Sequence, residues 1–214
     1  QTKEKYNTTE RCIRHRYPIR MGTNNDCFQL AEKKYRITYQ FIKDIMNVYD
    51  YPYVVTTKSD MVTDPEYMEL YRPDISAFQF TLSTMKSDYL KYIESGAPNA
   101  EQRIKTMDTL SKAGYHVGCR ISPHVPEYMD DLTELIKRLA DAGVKHIISE
   151  ILRINPALNK IMVEEVGFDV AKKYHLMGSK LNAGYYRYPL EAKIVLQKEL
   201  RELCDKNGMT FATC

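Results

Sequence analysis

One feature constrains this chain most. Short apolar runs, each closing on a cluster of small polar residues, alternate with stretches of helical periodicity. Pro18 to Gly22 reads as a strand ending in glycine, and Tyr35, Tyr39, Ile42 and Met46 then mark an amphipathic stretch. Tyr53 to Thr57 is a β-branched strand, and residues 64 to 71 form a short helix with Asp64 as N-cap and Pro65 in the first turn. Ala77 to Ser83 is the third strand. Asn99 followed by Gln102 spells a capping box, and it opens a helix with Ile104, Met107 and Leu110 on one face, ended by Gly114. Tyr115 to Ile121 is the fourth strand. From Glu127 the series Met129, Leu132, Leu135, Ile136 and Leu139 marks a helix stopped by Gly143, before the strand His146 to Leu152.

Strands separated by helices pair in parallel, because a parallel connection needs a long crossover. The expectation is an α/β barrel or open sheet with its ligand site outside the carboxyl ends of the strands. Those ends read Gly22 to Asp26, Thr57 to Asp60, Thr81 to Thr84, Arg120 to Pro123 and Glu150 to Arg153. Hydroxyls, amides, one lysine and two arginines suit a small ligand with carboxylate, amine and ribose groups. Any one such segment reads equally well as turn and cap residues; five together favour a site.

Composition sets the boundaries. With 43% hydrophobic residues in 214, the chain closes a sizeable core, and a net charge of +3 excludes a broad basic surface for phosphate-driven binding. Cys12, Cys27, Cys119, Cys204 and Cys214 contain no CxxC or CxxxC pair and therefore no recognisable metal-ligand spacing. No apolar run approaches a membrane span and there is no signal peptide, so a soluble, cytoplasmic protein with no membrane partner is expected. A start at Gln1 and an end at Cys214 directly after an apolar stretch suggest a piece of a longer polypeptide.

Beyond residue 155 the pattern changes. Leu158 to Tyr174 and Leu190 to Cys204 read as helices and Met209 to Thr213 as a last strand, so residues 156–214 are expected to extend the domain built by residues 1–155. Tyr185, Tyr186 and Tyr188 with Arg187 either pack over an open edge, the favoured reading, or stack on a nucleotide. Cys119 reads as a buried small hydrophobe. His116 and His146 have no partner at metal spacing, and His124 is the histidine better placed for proton transfer.

In order along the chain, Gly22 to Gln29 with Glu32, Thr57 to Ser59, Phe80 to Ser83, Glu94 to Pro98 with Arg103, Ala113 to Tyr115, Arg120 to Pro123 and Ile151 to Arg153 resemble the radical S-adenosylmethionine (SAM) superfamily. The likeness is to its branch of spore photoproduct lyase and DNA repair photolyase-like proteins. The resemblance implies a partial (β/α)6 TIM-like barrel, here with the first strand and cluster loop missing. It implies SAM and a [4Fe-4S] cluster as cofactors, a 5'-deoxyadenosyl radical that abstracts hydrogen, a flavodoxin or ferredoxin as electron donor, and a nucleic-acid or nucleotide substrate.

Carried over by position, the resemblance places Thr23 and Asn25 by the SAM amino group and Lys58 and Arg120 by its carboxylate, with Gly22 a further cofactor-binding candidate. Thr81 and Ser83 fall by the ribose or carboxylate, Ser122 follows Arg120 in the same segment, and Glu150, Leu152 and Arg153 fall near the adenine. Lys58 also reads as a solvated cap residue. Glu94 and Arg103 are expected to form a structural ion pair. Catalytic candidates are Cys27 and His124. The family's CxxxCxxC loop is absent, so no metal ligand is assigned, and Gly22 stands where spore photoproduct lyase carries its hydrogen-donating cysteine. The competing reading is a non-catalytic α/β module that binds a nucleotide or protein without a cluster.

Overall fold

The structure is a computed structural model that describes residues 7–86, 94, 96–126, 129–177 and 184–213. Among them, six parallel strands form one sheet in the order β1-β2-β3-β4-β5-β9, with β1 (Ile19–Met21), β2 (Tyr53–Thr57), β3 (Ser76–Thr81), β4 (His116–His124), β5 (His146–Ile151) and β9 (Thr210–Thr213). This is the expected partial TIM-like barrel, open between β1 and β9. The register runs Thr56 opposite Gln79, Gln79 opposite Gly118, and Thr81 opposite Arg120.

Side chains alternate across a sheet, and that alternation sorts the residues. Val55, Phe78, Phe80, Val117, Cys119, Ile121 and Ile147 enter one buried core, where they meet Ile104, Met107 and Leu110 of helix Ala100–Lys112 and Leu135, Ile136 and Leu139 of helix Leu132–Asp141. The same alternation sends Thr56, Thr81, Arg120 and Glu150 to the opposite face, which becomes the inside of the barrel. Tyrosines thicken the core by edge-on contacts, among them Tyr71 with Phe78 at 4.8 Å and Phe28 with Tyr67 at 5.0 Å.

Asn99 and Gln102 make the expected capping box. The amphipathic stretch around Tyr39, by contrast, is not one helix. Arg36 takes a left-handed conformation (φ 53°) between helices Glu32–Tyr35 and Ile37–Phe41, and a π-helix follows over Ile42–Met46. The break is stabilised on both sides. Buried Glu32 accepts from Thr38 N (3.0 Å), Tyr39 N (2.9 Å) and the Tyr67 hydroxyl (2.7 Å), while Arg36 pairs with Glu66 and lies 4.1 Å over the Tyr39 ring.

Other boundaries shift for local reasons. The expected helix over residues 64 to 71 is shorter, Pro65–Met68 behind Asp64, and follows a 3-10 turn at Asp60–Thr63. The third strand stops at Thr81, whose carbonyl accepts from Arg103 Nη1 at 2.8 Å. The fourth continues to His124 past a register shift at Pro123. Helix Leu132–Asp141 starts later than expected; Glu127, where it was read to begin, lies outside the described residues, as do Ser95 and Cys214.

The expected helix Leu158 to Tyr174 is two elements. Asn155 caps helix Pro156–Val166, Gly167 ends it in the left-handed region (φ 72°), and a 3-10 turn covers Val170–Lys172. Asn159 bridges the break, donating to Asp169 Oδ1 and accepting from Val170 N, both at 2.9 Å. A small antiparallel sheet was not foreseen. It orders β6 (Arg153–Ile154), β8 (Tyr185–Arg187) and β7 (His175–Met177) as β6-β8-β7. Tyr186 and Tyr188 pack against Ile151, Ile154, Val170 and Tyr174, a packing role as favoured, but on this second core and not over the barrel's open edge, while Tyr185 is exposed.

Candidate functional site

The carboxyl ends of β1 to β4 enclose a crevice of about 300 Å³ lined by Arg20, Gly22 to Asp26, Thr56, Thr57, Lys58, Thr81 and Arg120. Gly22 is required there. Its φ is +81°, and a Cβ would overlap the carbonyl oxygen of Thr56 on the neighbouring strand. At the other end of the loop Asp26 is held at both oxygens. Its Oδ1 accepts from Phe28 N (2.9 Å) and Thr57 Oγ1 (2.7 Å), and its Oδ2 from Lys58 N (2.8 Å). Thr23, Asn24 and Asn25 arch between these two attachments, exposed.

Lys58 forms no ion pair among the described residues, and the Thr56 hydroxyl, buried in the crevice wall, has no hydrogen-bond partner among them. Lys58, without an ion pair among the described residues, and Thr56, with a hydroxyl that lacks a partner among them, line one concavity and suit a ligand that carries a carboxylate and further polar groups. Arg120 is differently placed. It pairs with Glu150, which also takes Arg153 Nη2 at 2.9 Å and lies 3.4 Å from Ser122 Oγ. Burial would raise the Glu150 carboxyl; the hydrogen bond and charge of Arg120, then of Arg153, outweigh it and hold the group below its ordinary value.

Six of the expected contact residues, Gly22, Thr23, Asn25, Lys58, Thr81 and Arg120, thus come together in one crevice. Glu150, Leu152 and Arg153 line a second cavity of about 560 Å³, with His175, Met177, Arg187, Tyr188, Pro189, Leu190 and Lys193 among its walls. The Arg120–Glu150 pair stands between the two. Ser122 touches the crevice set only through Glu150, and Ser83 is fully buried and lines neither cavity. A third cavity, of about 850 Å³, lies outside the crevice and shares Asp26 and Lys58 with it.

Neither catalytic candidate lines the crevice. Cys27 packs against the core below Gly22, where burial, with Asp26 next, pushes its thiol up to about 12. His124 is 1% exposed; Nδ1 lies 2.9 Å from Ser149 Oγ, Nε2 has no partner among the described residues, and burial lowers its pKa to about 4. Cys119 is fully buried, and Glu94 and Arg103 form the expected buried ion pair, with Arg103 also donating to the carbonyls of Pro98 and Thr81. Among the described residues no three His, Cys, Asp or Glu side chains gather to hold a metal ion, and no helix is long and apolar enough to cross a membrane. Sequence reading gave no role to Asp26 or Arg20. The signal for Asp26 was only its place in an Asx-rich loop, where it accepts from Phe28 N two residues on; its other two donors lie about thirty residues downstream.

No known protein-family profile matches the chain. "Uncharacterized protein ORF301" of Acidianus two-tailed virus is 25% identical over 150 residues, 59% of this chain and 50% of that protein. A biotin synthase of Chlamydia abortus is 26% identical over 135 residues, 62% of this chain and 40% of that protein. Spore photoproduct lyase complexed with dinucleoside spore photoproduct superposes with a TM-score of 0.74 at 16% identity, covering 96% of this chain and 65% of that one. A doubly substituted form of that lyase, with bound AdoMet and dinucleoside spore photoproduct, also gives 0.74, covering 95% and 64%. The chain therefore shares the fold of spore photoproduct lyase, the partial barrel that the strand-end motifs led to expect. The chain spans about half or less of the two sequence relatives and just under two thirds of the lyase chain.

Proposed function

We propose that this chain is the SAM-binding part of a radical SAM enzyme resembling spore photoproduct lyase, acting on a nucleic-acid or nucleotide substrate. The observation that carries the reading is the crevice itself: an unpaired Lys58, an orphaned Thr56 hydroxyl and the pinned Thr23–Asn25 arch, at the strand ends of a fold shared with a lyase solved with AdoMet bound. In enzymes of this kind SAM, reduced at a [4Fe-4S] cluster by a flavodoxin- or ferredoxin-type donor, supplies a 5'-deoxyadenosyl radical for hydrogen abstraction.

The described cysteines, Cys12, Cys27, Cys119 and Cys204, do not fit that cluster's ligand set, so no step is routed through it. The chain's own residues bind and orient. Lys58 offers a charge-assisted hydrogen bond to the ligand carboxylate, the Thr23–Asn25 arch offers polar groups to its amino end, and Thr56 gains the partner its hydroxyl lacks. Arg120, held by Glu150, lends positive potential without being free to follow the ligand.

Titration of the chain with SAM, followed by amide NMR shifts, tests the reading. Shifts confined to the ends of β1 to β4, and weakened in Lys58→Ala, are expected; a chain whose spectrum does not respond to SAM overturns it.

A further inference from the structure

Asp26 makes more ordered contacts than any other side chain in the crevice wall, and it uses both oxygens to make them. Two of its three donors, Thr57 Oγ1 and Lys58 N, belong to the end of β2, while the third, Phe28 N, belongs to its own loop. Thr57 Oγ1 in turn accepts from Ser59 N at 2.9 Å, and Ser59 Oγ accepts from Met61 N at 3.3 Å, opening the 3-10 turn Asp60–Thr63. The residues on both sides of Lys58, and the Lys58 backbone itself, are therefore fixed by one carboxylate.

We infer that Asp26 is the positioning residue of the crevice, setting the Lys58 ammonium and the Thr23–Asn25 arch so that both ends of an amino-acid-like ligand are received together. The inference rests on the SAM reading above. Both Asp26 oxygens already accept from the protein, so the role assigned to it is to act through Lys58 and the loop.

Charge and geometry make opposite forecasts, which is what renders the role testable. A carboxylate beside the crevice repels an anionic ligand group, so if Asp26 mattered only through its field, neutralising it would tighten binding. If it acts by position, Asp26→Asn loosens binding. The amide keeps the size, but its NH2 cannot accept from the Lys58 N–H, and the end of β2 loses its register with the loop.

The test titrates the whole chain with SAM by amide NMR for wild type, D26N, K58A and D26N/K58A, with thermal midpoints measured alongside. D26N is expected to weaken SAM binding about tenfold. The double substitution should bind within about threefold of K58A alone, because the part of the Asp26 effect that runs through the ammonium is already gone and only the smaller part through the loop remains. A purely structural role would instead multiply the two losses. SAM binding by D26N that equals or exceeds wild type, or losses that multiply, overturns the inference and leaves the SAM reading standing; a wild-type chain that does not respond to SAM overturns both. If D26N does not fold, Thr57→Val removes one of the three donors. It should weaken SAM binding about threefold, and T57V that binds like wild type overturns the inference.

Discussion

Arg120 and Glu150 form an ion pair across the boundary of two cavities, the arginine on the crevice side and the carboxylate on the other, each side chain 21% exposed. Glu150 is shared, because Arg153 holds its second oxygen at 2.9 Å. A carboxylate between two guanidiniums joins three segments, the middle of β4, the end of β5 and the start of β6. Lys58 and Arg20 line the crevice without an ion pair among the described residues, whereas Arg120 has one, which is why ligand contact is assigned to Lys58 in preference to Arg120.

Glu150→Gln should therefore cost stability in a pH-dependent way. The folded carboxyl sits below its ordinary value, so its contribution is present above the unfolded pKa and is lost as pH falls through the lower folded one. At neutral pH the substitution should destabilise by about 1 kcal/mol, discounted for partial exposure. Urea midpoints of wild type and E150Q should converge once the pH has fallen below the ordinary carboxylate range and through the lower folded pKa.

His124 should remain neutral across the physiological range. Its pKa falls from 6.5 to about 4 on burial, so the unfolded chain takes up a proton that the folded chain refuses. Stability thus declines as pH drops below about 6.5 and continues to do so towards 4. Ring proton resonances followed by NMR should show no titration of His124 above about pH 5; a midpoint near 6.5 would contradict its buried setting against Ser149.

Thr56→Val should move two quantities in opposite directions. The Thr56 hydroxyl is buried without a partner, so an isosteric methyl should stabilise the ligand-free chain by about 1 kcal/mol. The same change removes a group that SAM would satisfy, and affinity should fall about fivefold. Paired thermal melts and SAM titrations check both signs, and a stabilised T56V with unchanged SAM affinity would remove Thr56 from the site.

The main sheet was legible because its signals are local. β-branched runs such as Tyr53 to Thr57, a capping box at Asn99 and Pro65 behind Asp64 each announce an element within a few residues. The break at Arg36 was not, since it depends on Glu32 reaching forward to Thr38 and on Glu66 arriving from the next unit. Strands of two or three residues, as in β6, β7 and β8, are too short for period two to rise above chance. Within the site, strand-end position brought Lys58, Thr81 and Arg120 together but could not separate them from Ser83 and His124. Which face a residue takes depends on parity along the strand, and the strand ends and register shift near those two were themselves unforeseen.

One residue, Leu152, separates β5 of the main sheet from β6 of the small one, and its N–H is bonded to the His124 carbonyl at 3.0 Å. So short and anchored a junction has no room for a hinge. The wall of the second cavity built by Glu150, Leu152 and Arg153 is thus an outgrowth of the barrel backbone. A molecule entering there meets that wall already assembled and spends none of its binding energy on ordering it.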